Sequence, residues 1–122
     1  MKRQTILPLL FVATLIACNS DKTRDFVSGT YINHSEGDYS IADDTLVIES
    51  SERNNFLIHR KTGIRLIKKG KPGKFKYETE EWRAIYDEGT KTLTETKRGK
   101  LFSFYPEAGK LTVGKREYQK IE

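Results

Sequence analysis

The sequence is poor in the residues from which small metal centres and disulfide-linked folds are built. Its 122 residues include one cysteine, two histidines and three prolines. A single cysteine forms no disulfide within the chain and offers no set of thiolates to a metal ion. The length is too small for a TIM barrel, a Rossmann enzyme or a multi-pass membrane protein, so we expect one small domain.

Motifs of catalysis are missing as well. The sequence has no H-x-x-x-H pair, no G-x-S-x-G turn, no glycine-rich phosphate loop and no EF-hand ligand pattern. His34 in a polar loop and His59 on a strand are therefore expected to be solvated surface residues. Asp43 and Asp44 are expected to start a turn rather than to bind Ca²⁺. These absences predict a protein that is not an enzyme and holds no cofactor or metal ion.

Apolar residues are unevenly distributed along the chain. Residues 1–18 hold 12 of the 44, which leaves 32 among the 104 residues from Asn19 onward. Only 22 of those 104 are Leu, Ile, Val or Phe, close to the level at which disorder becomes the expectation. The same stretch holds 12 aromatic residues, which supply the volume that a thin aliphatic core lacks. We therefore predict a small folded domain after an apolar leader.

The leader has the parts of an export signal. Lys2 and Arg3 give a positive start, and residues 6–16 form a mostly apolar segment that is too short to span a bilayer. Leu15, Ile16, Ala17 and Cys18 then close it in the order that resembles the lipobox of bacterial lipoprotein signal peptides. An ordinary signal peptide with an A-x-A type cleavage site and a free cysteine is the alternative.

The lipobox resemblance implies a membrane anchor at Cys18. In that family the chain is cleaved before the cysteine, its thiol accepts a diacylglyceryl group, and its new amino group is usually acylated with a chain such as palmitate. Two or three acyl chains make an anchor that hardly dissociates. Asn19 after the cysteine implies the outer membrane rather than the inner one. The expected organisation is a cleaved signal peptide over residues 1–17, a lipidated cysteine and flexible tether over 18–26, and one domain over 27–122.

The domain shows the pattern of strands and tight turns, without sustained helical periodicity. Turn chemistry at residues 43–44, 61–63 and 70–73 separates short apolar runs in the first half. In the second half turns fall at 87–90, 97–100, 106–109 and 114. Runs joined this tightly predict an all-β antiparallel meander of roughly eight strands, the first over residues 27–32, which closes into a small barrel.

Two resemblances agree with this barrel. Gly29, Thr30 and Tyr31 resemble the Gly-x-Trp motif of lipocalin-like barrels, with tyrosine in place of tryptophan. The body is also similar to small uncharacterised lipoproteins of Bacteroidetes, in the segments 28–31, 44–48, 82–87 and 113–118. That resemblance implies an envelope location and a lipocalin-like barrel, but no activity.

One stretch carries charge of a single sign. Residues 60–76 contain eight lysines and arginines and no acid. Such a stretch attracts anionic lipid headgroups, lipopolysaccharide or an acidic envelope protein, and an exported protein seldom meets nucleic acid. The alternative is a solvated hairpin that lysines keep soluble. The candidate contact residues are Arg65, Lys68, Lys69, Lys71 and Lys74.

A second candidate site is a pocket on one strand face. Trp82 and Tyr86 share a face of their predicted strand and either fill the core or line a ligand cavity. The leading prediction is a membrane-anchored binding or accessory module, and the alternatives are a carrier of a small apolar ligand and an inhibitor of a cell-wall lytic enzyme. Lytic enzymes of this kind are usually basic, so the net charge of +3 from Cys18 onward argues against an inhibitor.

Overall fold

Eight β-strands follow one short helix in the computed structural model, which describes residues 21–122. The predicted signal peptide, Cys18 and Asn19 lie outside the described residues. A single-turn 3₁₀ helix (Pro106–Ala108) joins the sixth and seventh strands. The elements are α1 (Lys22–Val27), β1 (Gly29–Glu36), β2 (Ser40–Ser50), β3 (Asn55–Lys68), β4 (Lys71–Asp87), β5 (Thr92–Glu95), β6 (Leu101–Tyr105), β7 (Lys110–Val113) and β8 (Arg116–Lys120).

The strands form one closed sheet. Each strand pairs antiparallel with the next, and β8 pairs with β1 at Tyr31 and Ile32, which closes the barrel. The predicted all-β meander that closes into an eight-stranded barrel is therefore confirmed. The complete sheet and its core lie within residues 21–122, so this segment contains a whole folding unit.

Side chains fill the barrel interior. Strand residues alternate between the inside and the outside, so that Trp82, Ala84 and Tyr86 of β4 face inward as their spacing predicts. Aromatic rings supply much of the volume, and several of them meet edge to face. The largest fully buried aromatic and aliphatic residues of the strands are Tyr31, Tyr86, Tyr118, Phe56, Phe102, Leu46, Ile48, Ile58, Leu93 and Leu111, and Glu95 is a buried acid among them.

Two predicted turns are wrong, because the strands there are longer than local propensity suggests. β2 runs without interruption through Asp43 and Asp44, and β3 runs through residues 61–63. Gly63 lies in the middle of β3, and the residue there is a glycine because a Cβ would meet the Tyr77 ring at 2.9 Å. The turn between β3 and β4 lies at Lys69 and Gly70, which both have positive φ. The turn predicted at 70–73 therefore begins one residue earlier, and residues 71–73 already belong to β4.

A helix replaces part of the expected tether. Residues 22–26, predicted to be flexible, form most of α1, and Asp21 caps that helix by accepting from the Arg24 amide at 3.1 Å. Val27, expected to begin the first strand, is fully buried at the end of α1. The Phe26 ring packs edge to face against Tyr31 and so belongs to the domain rather than to a linker. We call this the helix end of the barrel.

The other end of the barrel carries an opening and an extension of two strands. There the turns at residues 96–100 and 114–115 bound an opening that we call the mouth. β4 pairs with β5 only from Ala84 to Asp87, whereas β3 and β4 continue together to the turn at Lys69. We call this continuation, residues 61–80, the arm. Within residues 21–122, no helix has the length and apolar content that crossing a membrane requires.

Candidate functional site

The outer face of the arm carries stacked rings and cations. Phe75 and Tyr77 stack with ring centroids 5.7 Å apart, over the space that Gly63 leaves free. The Arg65 guanidinium carbon lies 4.0 Å from the Phe75 ring centre, and Lys61 Nζ lies 4.8 Å from that of Tyr77. Cations over ring faces are attracted by the ring quadrupole. The outer face is therefore both cationic and apolar.

The inner face of the arm combines aliphatic and basic side chains. Ile64 and Leu66 are 38% and 47% exposed, and they line a shallow groove of about 340 Å³. Lysines surround them, with a single acid, Glu78, at the edge. The basic residues that line this groove are Lys68, Lys71, Lys74 and Lys76.

The structure gathers the predicted contact residues on the arm. Lys68, Lys69 and Lys71 lie at its tip, and Lys74 lies just behind them on β4. In the described chain, no carboxylate lies within ion-pair distance of these lysines or of Arg65. Their charges are therefore not neutralised by an ion pair within the described residues. Arg60, the first residue of the basic stretch, does not belong to this surface, because it turns into the mouth.

The mouth contains a buried carboxylate on β2 that is held by groups from two other strands. Asp44 accepts hydrogen bonds from Arg60 on β3, at 2.8 to 3.2 Å, and from the Tyr118 hydroxyl on β8 at 2.6 Å. Thr62 and Arg116 add bonds at 3.3 and 3.2 Å. Charge-assisted bonds of this kind make the burial of a carboxylate tolerable. The predicted turn at this position is replaced by a polar cluster.

These contacts set the ionisation of the cluster. Burial by itself raises the pKa of the Asp44 carboxyl, but the hydrogen bonds from Arg60 and Tyr118 outweigh it and hold that pKa below its usual 3.8. Burial, together with the bond to Asp44, raises the pKa of the Tyr118 hydroxyl to about 12. Asp44 is therefore ionised and Tyr118 neutral across the physiological range.

An open cleft of about 760 Å³ lies beside this cluster. Trp82, one of the two candidate pocket residues, forms part of its wall. Tyr86 does not line the cleft: it is fully buried near the helix end, where its hydroxyl donates to Asp21 at 3.0 Å. The cations that line the cleft are Arg60, Lys100, Lys115 and Arg116, and its apolar lining includes Leu46, Leu101, Phe102 and Val113.

No protein-family model, curated protein or solved structure matches this chain. A function must therefore be argued from the arm and the mouth themselves. Among residues 21–122, no three His, Cys, Asp or Glu side chains converge as ligands for a metal ion. Both histidines instead contact carboxylates at the surface, His34 next to Asp43 and Glu36, and His59 next to Glu49.

Sequence reasoning missed the mouth because its members lie far apart along the chain. Asp44 and Tyr118 are separated by 74 positions, and no local sequence pattern indicates that they are in contact. One signal was present: Asp44, Leu46 and Ile48 alternate on one strand face, which places the acid on the same side as two core residues. An acid on an inward face requires a partner, and Arg116 and Tyr118 alternate on β8 in the same way.

Proposed function

We propose that this protein is a non-enzymatic lipoprotein of the bacterial envelope that binds phosphate-bearing lipid headgroups through its arm. The headgroups are those of anionic phospholipids or of lipopolysaccharide. The observation that carries the proposal is the arm itself, where exposed apolar side chains lie among lysines that have no carboxylate partner in the described residues. Either component alone is common on protein surfaces, but the combination is typical of a surface that meets a membrane interface.

The charge of the arm supplies the first part of the attraction. Each lysine near an anionic membrane surface contributes about 1 kcal/mol, so the cluster at the tip would contribute several kcal/mol at low salt. This attraction falls off within a Debye length and weakens as salt rises. A lipid-binding arm should therefore release its membrane at high ionic strength.

The apolar residues of the arm supply the second part. Leu66 is 47% exposed and Tyr77 60% exposed, on opposite faces of the hairpin. Folding leaves these side chains in water, whereas a headgroup layer would cover them. Tyrosine suits this position because its ring is apolar and its hydroxyl polar, and lysine stems lie along apolar surface while their charges reach the phosphates.

The expected anchor agrees with an arm of this kind. A lipid on Cys18 would be separated from Asp21 by two residues, which limits the distance to about 10 Å. Asp21 lies at the helix end and the arm extends beyond the mouth, so the two attachments would hold the barrel lying along the bilayer. Anchoring raises the effective concentration of the arm at the surface, so a modest intrinsic affinity is sufficient.

Vesicle binding by residues 21–122, which lack the anchor, tests the proposal. We expect co-sedimentation with phosphatidylcholine vesicles that contain phosphatidylglycerol or lipopolysaccharide, weak binding to phosphatidylcholine alone, and release by salt. The triple variant Lys68→Glu, Lys69→Glu, Lys71→Glu should abolish binding. A control variant should keep most of the vesicle binding, although its net charge changes by the same amount. Its substitutions are Lys22→Glu, Lys97→Glu and Arg98→Glu.

The outcomes separate the proposal from its alternatives. Equal losses in the two triple variants would show that only net charge matters and would contradict a site on the arm. Absence of binding to every anionic vesicle would reduce the basic stretch to a solvated hairpin. An interior carrier of an apolar ligand has less support, because the barrel interior is filled with side chains and the cleft opens at the mouth.

A further inference from the structure

We infer that the mouth is a separate site for a small organic anion, one that carries a sulfonate, phosphate or carboxylate group on an apolar body. The site uses the open cleft at the barrel mouth rather than the arm. Its charged wall would hold the anionic group, and its apolar floor would hold the body of the ligand.

The cleft keeps an excess of positive charge after its internal pairs are counted. Asp44 and Glu80 are the two carboxylates that pair with its arginines. In the described residues no carboxylate lies within ion-pair distance of Lys100 or Lys115. The buried Glu95 carboxylate, which accepts from the amides of Lys97 and Arg98, also acts on the charge of Lys100. Four cations against three carboxylates leave one positive charge at the cleft, enough to attract a monoanion.

One unpaired cation, Lys100, and the paired Arg60 lie next to an aromatic surface. Lys100 Nζ lies 4.3 Å from the Trp82 ring centre, and the Arg60 guanidinium carbon lies 5.6 Å from it. The indole of Trp82 packs in turn against Phe102, with centroids 6.3 Å apart. An anion that binds Lys100 therefore places the body that it carries against Trp82, beneath which Phe102 is fully buried. This arrangement selects an amphipathic anion over an inorganic one.

The cluster around Asp44 fixes two side chains of the cleft. Hydrogen bonds to Asp44 hold the Arg60 guanidinium at the wall. Tyr118 is fixed in the same way by its bond to Asp44. The site is thus preorganised before a ligand arrives.

A matched pair of fluorescent dyes tests this site, with Trp82 as the reporter because it is the only tryptophan of the chain. The probes are 1-anilinonaphthalene-8-sulfonate and N-phenyl-1-naphthylamine, which share an apolar body and differ by the sulfonate. For residues 21–122 we expect saturable one-to-one binding of the sulfonate, with energy transfer from Trp82. The neutral dye should bind at least about tenfold more weakly, since it lacks the charge-assisted contact.

Point variants locate the dye. Lys100→Met removes a charge that has no ion-pair partner in the described residues while keeping an unbranched side chain one atom shorter, and it should weaken sulfonate binding by about tenfold. Lys97→Met, in the same turn but outside the cleft, should leave it unchanged. The arm triple variant should also leave it unchanged, which keeps this inference independent of the proposed lipid surface.

Other results would overturn the inference. These are equal affinity for the two dyes, equal effects of Lys97→Met and Lys100→Met, or a loss of dye binding in the arm variant alone. Displacement of the dye then distinguishes the anionic groups: octanoate and octyl phosphate should compete, and the stronger competitor identifies the preferred group. Competition by 1-octanol at the same concentration as either anion would show that the cleft does not recognise charge.

Discussion

Arg60 holds Asp44 through two short hydrogen bonds, from Nε to Oδ1 at 3.0 Å and from Nη2 to Oδ2 at 2.8 Å. The two residues lie on neighbouring strands, where Arg60 pairs with Leu46, the next inward residue after Asp44. Both side chains are largely shielded from water, at 15% and 5% exposure. Because Tyr118 of β8 binds the same carboxylate, one residue links three strands at the mouth.

Removal of the Asp44 carboxylate should destabilise the barrel strongly. Asp44→Ala leaves the charge of Arg60 and the hydroxyl of Tyr118 without their partner, and breaking a buried pair in this way costs about 3 kcal/mol of unfolding free energy. Urea denaturation followed by Trp82 fluorescence measures the change. Asp43→Ala, its exposed neighbour, should change stability by less than about 0.5 kcal/mol. Equal effects of the two variants would contradict a special role for Asp44.

The contribution of Asp44 should depend on pH. Its folded-state pKa lies below that of the unfolded chain, because the bonds from Arg60 and Tyr118 outweigh the effect of burial. The stabilisation is therefore fully present above the unfolded pKa of about 3.9 and is lost as pH falls through the folded pKa. The difference in stability between the wild-type chain and Asp44→Asn should accordingly shrink from pH 7 to pH 3. If the difference in unfolding free energy stays constant from pH 7 to pH 3, the charge of the Asp44 carboxylate does not stabilise the barrel.

The barrel could be predicted from sequence because strand alternation and turn residues are local signals. The two wrong turns show where those signals fail. Asp44 has the local propensity of a turn residue, yet contacts with Arg60 and Tyr118 keep it in mid-strand. Gly63 likewise has the propensity of a turn, yet it serves as space for the Phe75 and Tyr77 rings. In both cases a tertiary contact overrides the local preference.

The sequence alone could not decide, for a related reason, which of the two candidate pocket residues lies in the core and which lines a cleft. Trp82 and Tyr86 share an inward strand face, so periodicity treats them alike. Their surroundings differ because β5 pairs with β4 only from Ala84 onward. Tyr86 therefore lies inside the closed barrel, whereas Trp82 lies where the wall ends and the cleft begins. The position of that boundary depends on the lengths of strands that are distant in sequence.

The helix should contribute to the stability of the domain and not act as a linker. Phe26 packs edge to face on Tyr31 and Phe104, and the Tyr31 hydroxyl donates to the Phe26 carbonyl at 2.6 Å. Phe26→Ala should therefore lower the unfolding free energy by about 2 kcal/mol, less than for a fully buried ring. Thermal unfolding monitored by circular dichroism measures this loss of stability. Asp25→Ala, on the exposed side of the helix, is the control, and an equally small effect of both changes would show that α1 packs weakly.

Gly29 should tolerate no side chain. Its φ of 148° is a conformation that other residues rarely adopt, and a Cβ there would lie 2.3 Å from the carbonyl oxygen of Glu122. Gly29→Ala should cost about 2 kcal/mol because both the strain and the clash must be relieved. Gly37→Ala is the control, since its nearest neighbour would lie at 3.9 Å and its effect should be small. A stable Gly29→Ala protein would show that the C-terminal strand moves aside freely.

The lipid anchor is tested at Cys18 in the full chain. When the protein is expressed in a Gram-negative bacterium with an alkyne analogue of palmitate, the wild-type chain should be labelled and should partition into detergent. Cys18→Ala should accumulate as unprocessed precursor and lose the label, because the thiol that accepts the diacylglyceryl group is gone. Ser20→Ala, two residues later, should be labelled normally. Cleavage of Cys18→Ala to its mature length without label would indicate the ordinary signal peptide, and labelling that persists in Cys18→Ala would refute the lipobox.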